Sequence, residues 1–314
     1  MKISVTALCL VFASSNLYAQ KFTWQPSPGH TQLQIWPGEA PDPRPAVEPE
    51  FARKTGPDSL VAGQPWTEIE NVARPTITIY SPTGKNTGAA VVVFPGGGYE
   101  ILAIDLEGSE ACDWLTSRGI TCILLKYRVP APRSEPLWGA YPQSPIALED
   151  AQRALGLLRF HAAEWHIDPH KVGVLGFSAG GHLVAATSTH FDKRLYPPVD
   201  AADKESCRPD FAVALYPGHL WIDDQKFELN PDIRANITSQ TPPTFLIQDE
   251  DDHVDNVNDS LVYYIALKNA GVPVEMHLYA QGGHAFGLRR TKFPVTNWPD
   301  LVATWLGSIG IIPQ

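Results

Sequence analysis

The chain has 314 residues, 24 basic and 34 acidic side chains, and a formal charge of −10. At 44% hydrophobic and 18% charged it is too apolar to be disordered, and it is long enough for a sizeable core. An acidic chain without a basic surface argues against nucleic acid and against anionic membranes, because both need cations to neutralise phosphate.

Residues 1–19 have the plan of a secretory leader. Lys2 precedes the apolar run Ile3 to Ala13, and a short polar stretch ends at small Ala19. The run is too short to span a bilayer, and no later stretch reaches the roughly 18 apolar residues that a span requires. Cleavage is expected before Gln20, giving a periplasmic or secreted protein with a charge of −11. Cys9 follows Leu8 rather than a small residue, so lipidation is not expected. Three cysteines then remain, Cys112, Cys122 and Cys207. Their spacing matches no zinc pattern, so buried thiols are expected, with one disulfide left open by an oxidising compartment.

Residues 20–66 are rich in proline and glycine and hold no steady period, which reads as an extended N-terminal arm. A catalytic domain is expected over 67–314. Thr76–Tyr80 alternates like a half-buried antiparallel strand, and Ala89–Phe94 is a continuous apolar run suited to a strand covered on both faces. Further runs of that kind are Thr121–Tyr127, Val172–Leu175, Phe211–Tyr216, Thr244–Gln248 and Val274–Tyr279. A helix starting at Ser144-Pro145 places Leu148, Ala151, Leu155, Leu158, Ala162 and Trp165 on one stripe. A second, from about Ser260 to Ala270, stops at Gly271. Strand–helix alternation over this length predicts one α/β domain, a mostly parallel central sheet flanked by helices. The stretches 128–145, 195–210 and 218–242 are expected as loops above that sheet.

Four places carry chemistry. Strand Val172–Leu175 runs into Gly176-Phe177-Ser178-Ala179-Gly180, a G-x-S-x-G between a buried strand and a helix. That context lifts the serine clear of the sheet, so Ser178 is the expected nucleophile. A serine needs a base oriented by a carboxylate. Among ten histidines only His284 follows a strand on a glycine-rich loop, Gln281-Gly282-Gly283-His284. His182 packs or hydrogen-bonds behind the serine, His161, His166 and His170 sit near a helix end, and His253 and His277 face solvent or a sheet face. The acid must come from the segment 248–255, where five carboxylates crowd eight residues and spacing alone does not choose. Asp252 is our choice, with Asp251 second. Phe94-Pro95-Gly96-Gly97-Gly98-Tyr99 follows a strand, and its side-chain-free backbone suits an oxyanion hole built from the N–H groups of Gly97, Gly98 and Ala179.

Together these motifs resemble the α/β-hydrolase superfamily, within it the bacterial acetyl-xylan-esterase-like and lipase-like serine esterases. The resemblance runs from Ile35-Trp36-Pro37-Gly38-Glu39-Ala40-Pro41 to the C-terminus. It includes PGGGY at 95–99, Leu125-Lys126-Tyr127-Arg128, Ile167-Asp168-Pro169 through GFSAGGH, and GGHAFGL at 282–288. It implies the α/β-hydrolase fold, a Ser178–His284–Asp252 triad and a structural Arg128. In that branch the acid stands four residues before a proline in a D-x-x-V-P-like turn, which favours Asp252. This chain departs there, with Asp255 for the apolar residue and Asn256 for the proline.

The expected activity is hydrolysis of acetyl esters on plant polysaccharide or its oligosaccharides through an acyl-enzyme, with no cofactor and no metal. Tyr99, Trp138 and Trp221 are the expected substrate-binding aromatics, and Tyr141 is a further loop aromatic. Alternatives are another short-chain carboxylesterase, an oligopeptidase-type serine peptidase, and a non-catalytic binding protein on the same scaffold. The peptidases usually cap this sheet with a propeller, for which 314 residues leave no room. The binding proteins generally lose the serine or the histidine, and both are present here.

Overall fold

The computed structural model describes residues 20–43, 48–130, 144–221 and 226–313. The leader, Trp138 and Tyr141 lie outside them. In chain order the strands are β1 (Thr31–Gln34), β2 (Phe51–Lys54), β3 (Thr67–Glu70), β4 (Thr76–Tyr80), β5 (Ala90–Phe94) and β6 (Ile101–Ala103). Helix α1 (Glu110–Ser117), β7 (Thr121–Lys126), α2 (Ser144–Phe160), β8 (Val172–Phe177) and α3 (Ala179–Thr189) follow. The chain continues with β9 (Phe211–Leu215), α4 (Pro231–Asn236), β10 (Thr244–Asp249), α5 (Val257–Asn269), β11 (Val274–Tyr279) and α6 (Trp298–Ser308).

Among the described residues eight strands form the main sheet, in the order β1-β4-β7-β5-β8-β9-β10-β11. From β7 to β11 every neighbouring pair is parallel, whereas β1 and β4 join antiparallel at one side. Parallel neighbours need crossover helices, which cover both faces, so β5, β7, β8, β9 and β10 are buried throughout. β8 lies mid-sheet, and the loops leaving the C-terminal ends of β5, β8, β9, β10 and β11 converge beside it. That end of a parallel sheet is where ligands bind in open α/β folds.

Several readings of the sequence change. The segment 20–66 does more than lie across the domain: β1 extends the main sheet, and β2 pairs with β3 in a second antiparallel sheet, β2-β3-β6. β4 is therefore an interior strand, with Thr76 and Thr78 buried alongside its isoleucines rather than facing water. β11, in contrast, is an edge strand among the described residues, and its Glu275 and Leu278 are exposed. Cys112 of α1 and Cys122 of β7 form a disulfide with Cα atoms 5.1 Å apart, and Cys207 is a buried thiol. The stretch 218–242, expected as loop, includes the short α4. Among the described residues no helix is long and apolar enough to cross a membrane.

The arm is held by buried arginines. Arg128 is 1% exposed, and its Nε donates to both carboxylate oxygens of Asp150 at 3.0 Å. Its other nitrogens donate to Glu149 Oε2 at 2.8 Å and to the Pro41 carbonyl at 2.7 Å. Trp36 Nε1 donates to the same Asp150 at 2.9 Å, and Arg153 Nε donates to the Ile35 carbonyl at 2.8 Å. This explains why Glu149, Asp150 and Arg153 are buried in α2 beside its apolar stripe. Removing one partner of a buried ion pair leaves the other charge uncompensated. We therefore expect Arg128→Met to lower unfolding free energy by about 3–5 kcal/mol in a denaturant titration. A loss under about 1 kcal/mol would show that the arm does not depend on this residue.

Candidate active site

Each site residue stands at the end of a strand. Ser178 is the hinge between β8 and α3, with φ 52° and ψ −120°. Its N–H donates to the Leu215 carbonyl of β9 at 3.0 Å, which ties the turn to the neighbouring strand. Two glycines make the turn possible. A Cβ on Gly180 would stand 2.0 Å from the Phe94 carbonyl oxygen, and one on Gly176 would stand 2.1 Å from the Gly180 oxygen. The loop after β5 therefore packs directly on the first turn of α3.

The structure brings three of the sequence candidates into one hydrogen-bonded row. Ser178 Oγ lies 2.9 Å from His284 Nε2, and His284 Nδ1 lies 2.7 Å from Asp252 Oδ2. Asp252 is itself oriented: its Oδ1 accepts from the N–H groups of Val254 and Asp255, and its Oδ2 from Gln248 Nε2. Asp251 has a different place. Its Oδ1 accepts from the N–H groups of Gly282 and Gly283 at 2.9 and 2.8 Å, so it shapes the loop that carries His284.

The proposed oxyanion donors lie on the two segments that meet at Ser178, the loop after β5 and the first turn of α3. Gly97 (φ 132°) and Gly98 (φ 64°) turn the backbone after β5, and neither N–H has an acceptor among the described residues. The Ala179 N–H is the first of α3 and also has none there, as expected at a helix N-terminus. The aromatic candidates fare unevenly. Tyr99 is 1% exposed, and its hydroxyl shares a 2.9 Å hydrogen bond with His182 Nδ1. Its side chain thus braces the glycine loop from beneath, a correction to its expected place against substrate. Trp221 is half-buried and its Nε1 donates to the Lys226 carbonyl at 2.8 Å. Trp138 lies outside the described residues.

Three residues escaped the sequence reading. Glu107, on a single π-helical turn (Asp105–Ser109), is 2% exposed. It accepts from the Gly96 N–H and from the Tyr216 hydroxyl, each at 2.8 Å. Tyr216 directly follows β9 with φ 37°, and its ring meets His284 edge-on at 4.9 Å. Neither residue has a motif around it, so no signal in one sequence could have marked them. Asp255 reaches the catalytic row and faces Gly218; its only flag was the acidic residue at a position the resembling branch keeps apolar.

The electrostatics follow from this crowding. Burial pulls the His284 imidazolium down, but the hydrogen bond to Asp252 and the charges of Asp255, Asp252 and Glu107 outweigh it, and the pKa is raised. His182 moves the other way, to about 3, through burial and the nearby His219 and His190. Asp249, at the end of β10 beneath Gly282, finds no donor for either oxygen among the described residues. Burial, then Asp251 and Asp252, push it up to about 7. A carboxyl raised in the folded state keeps its proton there while the unfolded chain, near pKa 3.9, has lost it. Stability from this group is therefore full below about pH 4 and is lost as pH rises through about 7. We expect Asp249→Asn to raise the melting temperature at pH 8 by roughly 2–4 °C, with the gain fading by pH 5. A pH-independent change would rule out titration of Asp249 as the cause.

Known proteins share this arrangement's framework. The chain is 30% identical to the acetyl ester-xyloside bifunctional hydrolase of Caldicellulosiruptor lactoaceticus, with a TM-score of 0.69 over 90% of this chain and 97% of that one. It is 31% identical over 222 residues to an acetylxylan esterase of Xylanibacter ruminicola, and 30% identical over 218 residues to endo-1,4-beta-xylanase B of Butyrivibrio fibrisolvens. Those matches take in 64% and 65% of this chain but only 42% and 33% of the relatives' lengths. The family model of the alpha/beta hydrolase fold matches residues 91–288, from within β5 past His284. The chain belongs to the α/β-hydrolase fold family.

Proposed function

We propose that the protein is an exported serine carboxylic-ester hydrolase that removes acetyl groups from plant polysaccharide, acetylated xylan foremost, or from its oligosaccharides. The observation that carries this reading is the hydrogen-bonded row Ser178–His284–Asp252; the N–H groups of Gly97, Gly98 and Ala179, without acceptors among the described residues, support it. Ser178 Oγ attacks the ester carbonyl while His284 takes its proton, and Asp252 holds the imidazole in the required tautomer. The N–H groups of Gly97, Gly98 and Ala179 stabilise the oxyanion. His284 then protonates the leaving alcohol, and water hydrolyses the acyl-enzyme. The acetyl-ester activity named for the C. lactoaceticus and X. ruminicola proteins supports acetyl as the acyl group. The leader-like residues 1–19 and the Cys112–Cys122 disulfide support an oxidising, exported location.

Replacing the nucleophile tests the mechanism. Ser178→Ala should reduce p-nitrophenyl acetate turnover by on the order of 10⁵- to 10⁶-fold. Turnover that persists without the serine hydroxyl would reject a serine esterase. Acetate release from acetylated xylan should exceed release of butyrate and longer acyl groups, and preference for long chains would reject the acetyl assignment.

The two acidic candidates should separate cleanly. Asp252→Asn should lower kcat by about 10⁴-fold, as loss of the orienting carboxylate does in this chemistry. Asp251→Asn keeps an oxygen for the Gly282 and Gly283 N–H groups, so its loss should stay within about 10-fold. Because His284 must be neutral to act, activity should rise with pH, its midpoint above the ordinary imidazole value of about 6.5. Asp252→Asn should move that midpoint down. Equal, mild losses in both variants would mean that neither carboxylate orients the base.

A further inference from the structure

Asp255 closes the acidic loop after β10, and it is 5% exposed. Its Oδ2 lies 3.3 Å from Ser178 Oγ and 3.7 Å from His284 Nε2. No Lys or Arg pairs with it among the described residues. A buried carboxylate with one long hydrogen bond and no full-time cation is an expense to the fold, so its position calls for another explanation. The position is also well determined. The Asp255 N–H donates to Asp252 Oδ1 at 3.0 Å, and its carbonyl accepts from Gln248 Nε2 at 3.0 Å. Opposite, a Cβ on Gly218 would stand 2.3 Å from Asp255 Oδ1, so the carboxylate fills space that glycine leaves open.

In the resting enzyme Ser178 has a single proton, and His284 Nε2 is the nearer acceptor. In the acyl-enzyme Ser178 Oγ is an ester oxygen and has no proton to donate. His284 Nε2 and Asp255 Oδ2 are then two neighbouring acceptors aimed at the same place, 3.7 Å apart. Water has two hydrogens, and linear hydrogen bonds from both would hold two acceptors roughly 4.5 Å apart, so 3.7 Å is spanned by modestly bent ones.

We propose that Asp255 is a catalytic residue of deacylation, which with His284 grips both hydrogens of the hydrolytic water and points its lone pair at the acyl carbon. This rests on the serine-esterase reading. The water oxygen bonds to the acyl carbon as one proton passes to His284 Nε2 and the carbonyl electrons move to the oxyanion. Collapse breaks the bond to Ser178 Oγ, which recovers the proton from His284. The acid leaves with the water's second hydrogen, which Asp255 had held by a hydrogen bond, and loses it to solvent. Asp255 ends as it began.

The selective signature is in the two half-reactions. Stopped-flow kinetics with p-nitrophenyl acetate would compare the wild type with Asp255→Val and the isosteric Asp255→Asn. Both half-reactions lose the Asp255 charge beside His284 and should slow by a shared few-fold, while deacylation should fall by a further factor on the order of 10- to 100-fold in Asp255→Val. The valine variant should then show a stoichiometric p-nitrophenol burst, and intact-mass measurement should find one acetyl group on Ser178. Asp255→Asn, whose amide oxygen still accepts, should fall between. Equal slowing of both steps, or no slowing of deacylation in either variant, would overturn the proposal, since a merely structural residue has no reason to single out one half-reaction. Undiminished turnover in Ser178→Ala would instead reject the esterase reading itself, and this proposal with it.

Discussion

A serine with φ 52° occupies backbone space that side chains avoid, at a cost of roughly 1–3 kcal/mol. Such a conformation persists only where the surroundings leave no alternative. Here β8 is locked between β5 and β9, α3 begins at once, and the Gly176 and Gly180 backbones touch in the space that two side chains would have filled. The strain therefore lies in the strongest part of the sheet. Every other element of the site is placed relative to this turn: the glycine loop packs on it, the Leu215 carbonyl holds it, and the histidine loop closes over it.

Around that rigid point the site is electrostatically one-sided. Asp252, Asp255 and Glu107 all act on His284, and Asp249 and Asp259 lie close enough to feel the same charges. Asp249 and Asp259 each respond by moving up to about 7, burial being the first cause in both. The imidazole is the one group in the row that gains a positive charge during reaction, so surrounding anions favour that moment. Asp251 contributes without belonging to the row, by holding the backbone of the loop on which His284 rides.

The fold and the nucleophile could be read because they are local. Buried parallel strands show as continuous apolar runs, and a strand–turn–helix with G-x-S-x-G has few other uses. His284 was found because chain order and a glycine loop left no competitor. β1 and β2 were missed because four-residue strands in a proline-rich segment carry too short a pattern, and their identity comes from their partners β4 and β3. The edge position of β11 was equally invisible, since strand order is not written in any one strand.

By itself the sequence determined the sheet's main strands, the serine's turn and the chemical type of each partner, because each follows from residues a few positions apart. Only the tertiary structure showed where the carboxylates of 249–255 go. Within one loop, backbone geometry sends Asp252 to the imidazole, Asp251 to the glycine amides and Asp255 to the serine, while Asp249 stays beneath the loop. Side-chain direction in a loop is set by contacts with distant segments, here at 178, 218 and 282–284, and composition contains no record of them.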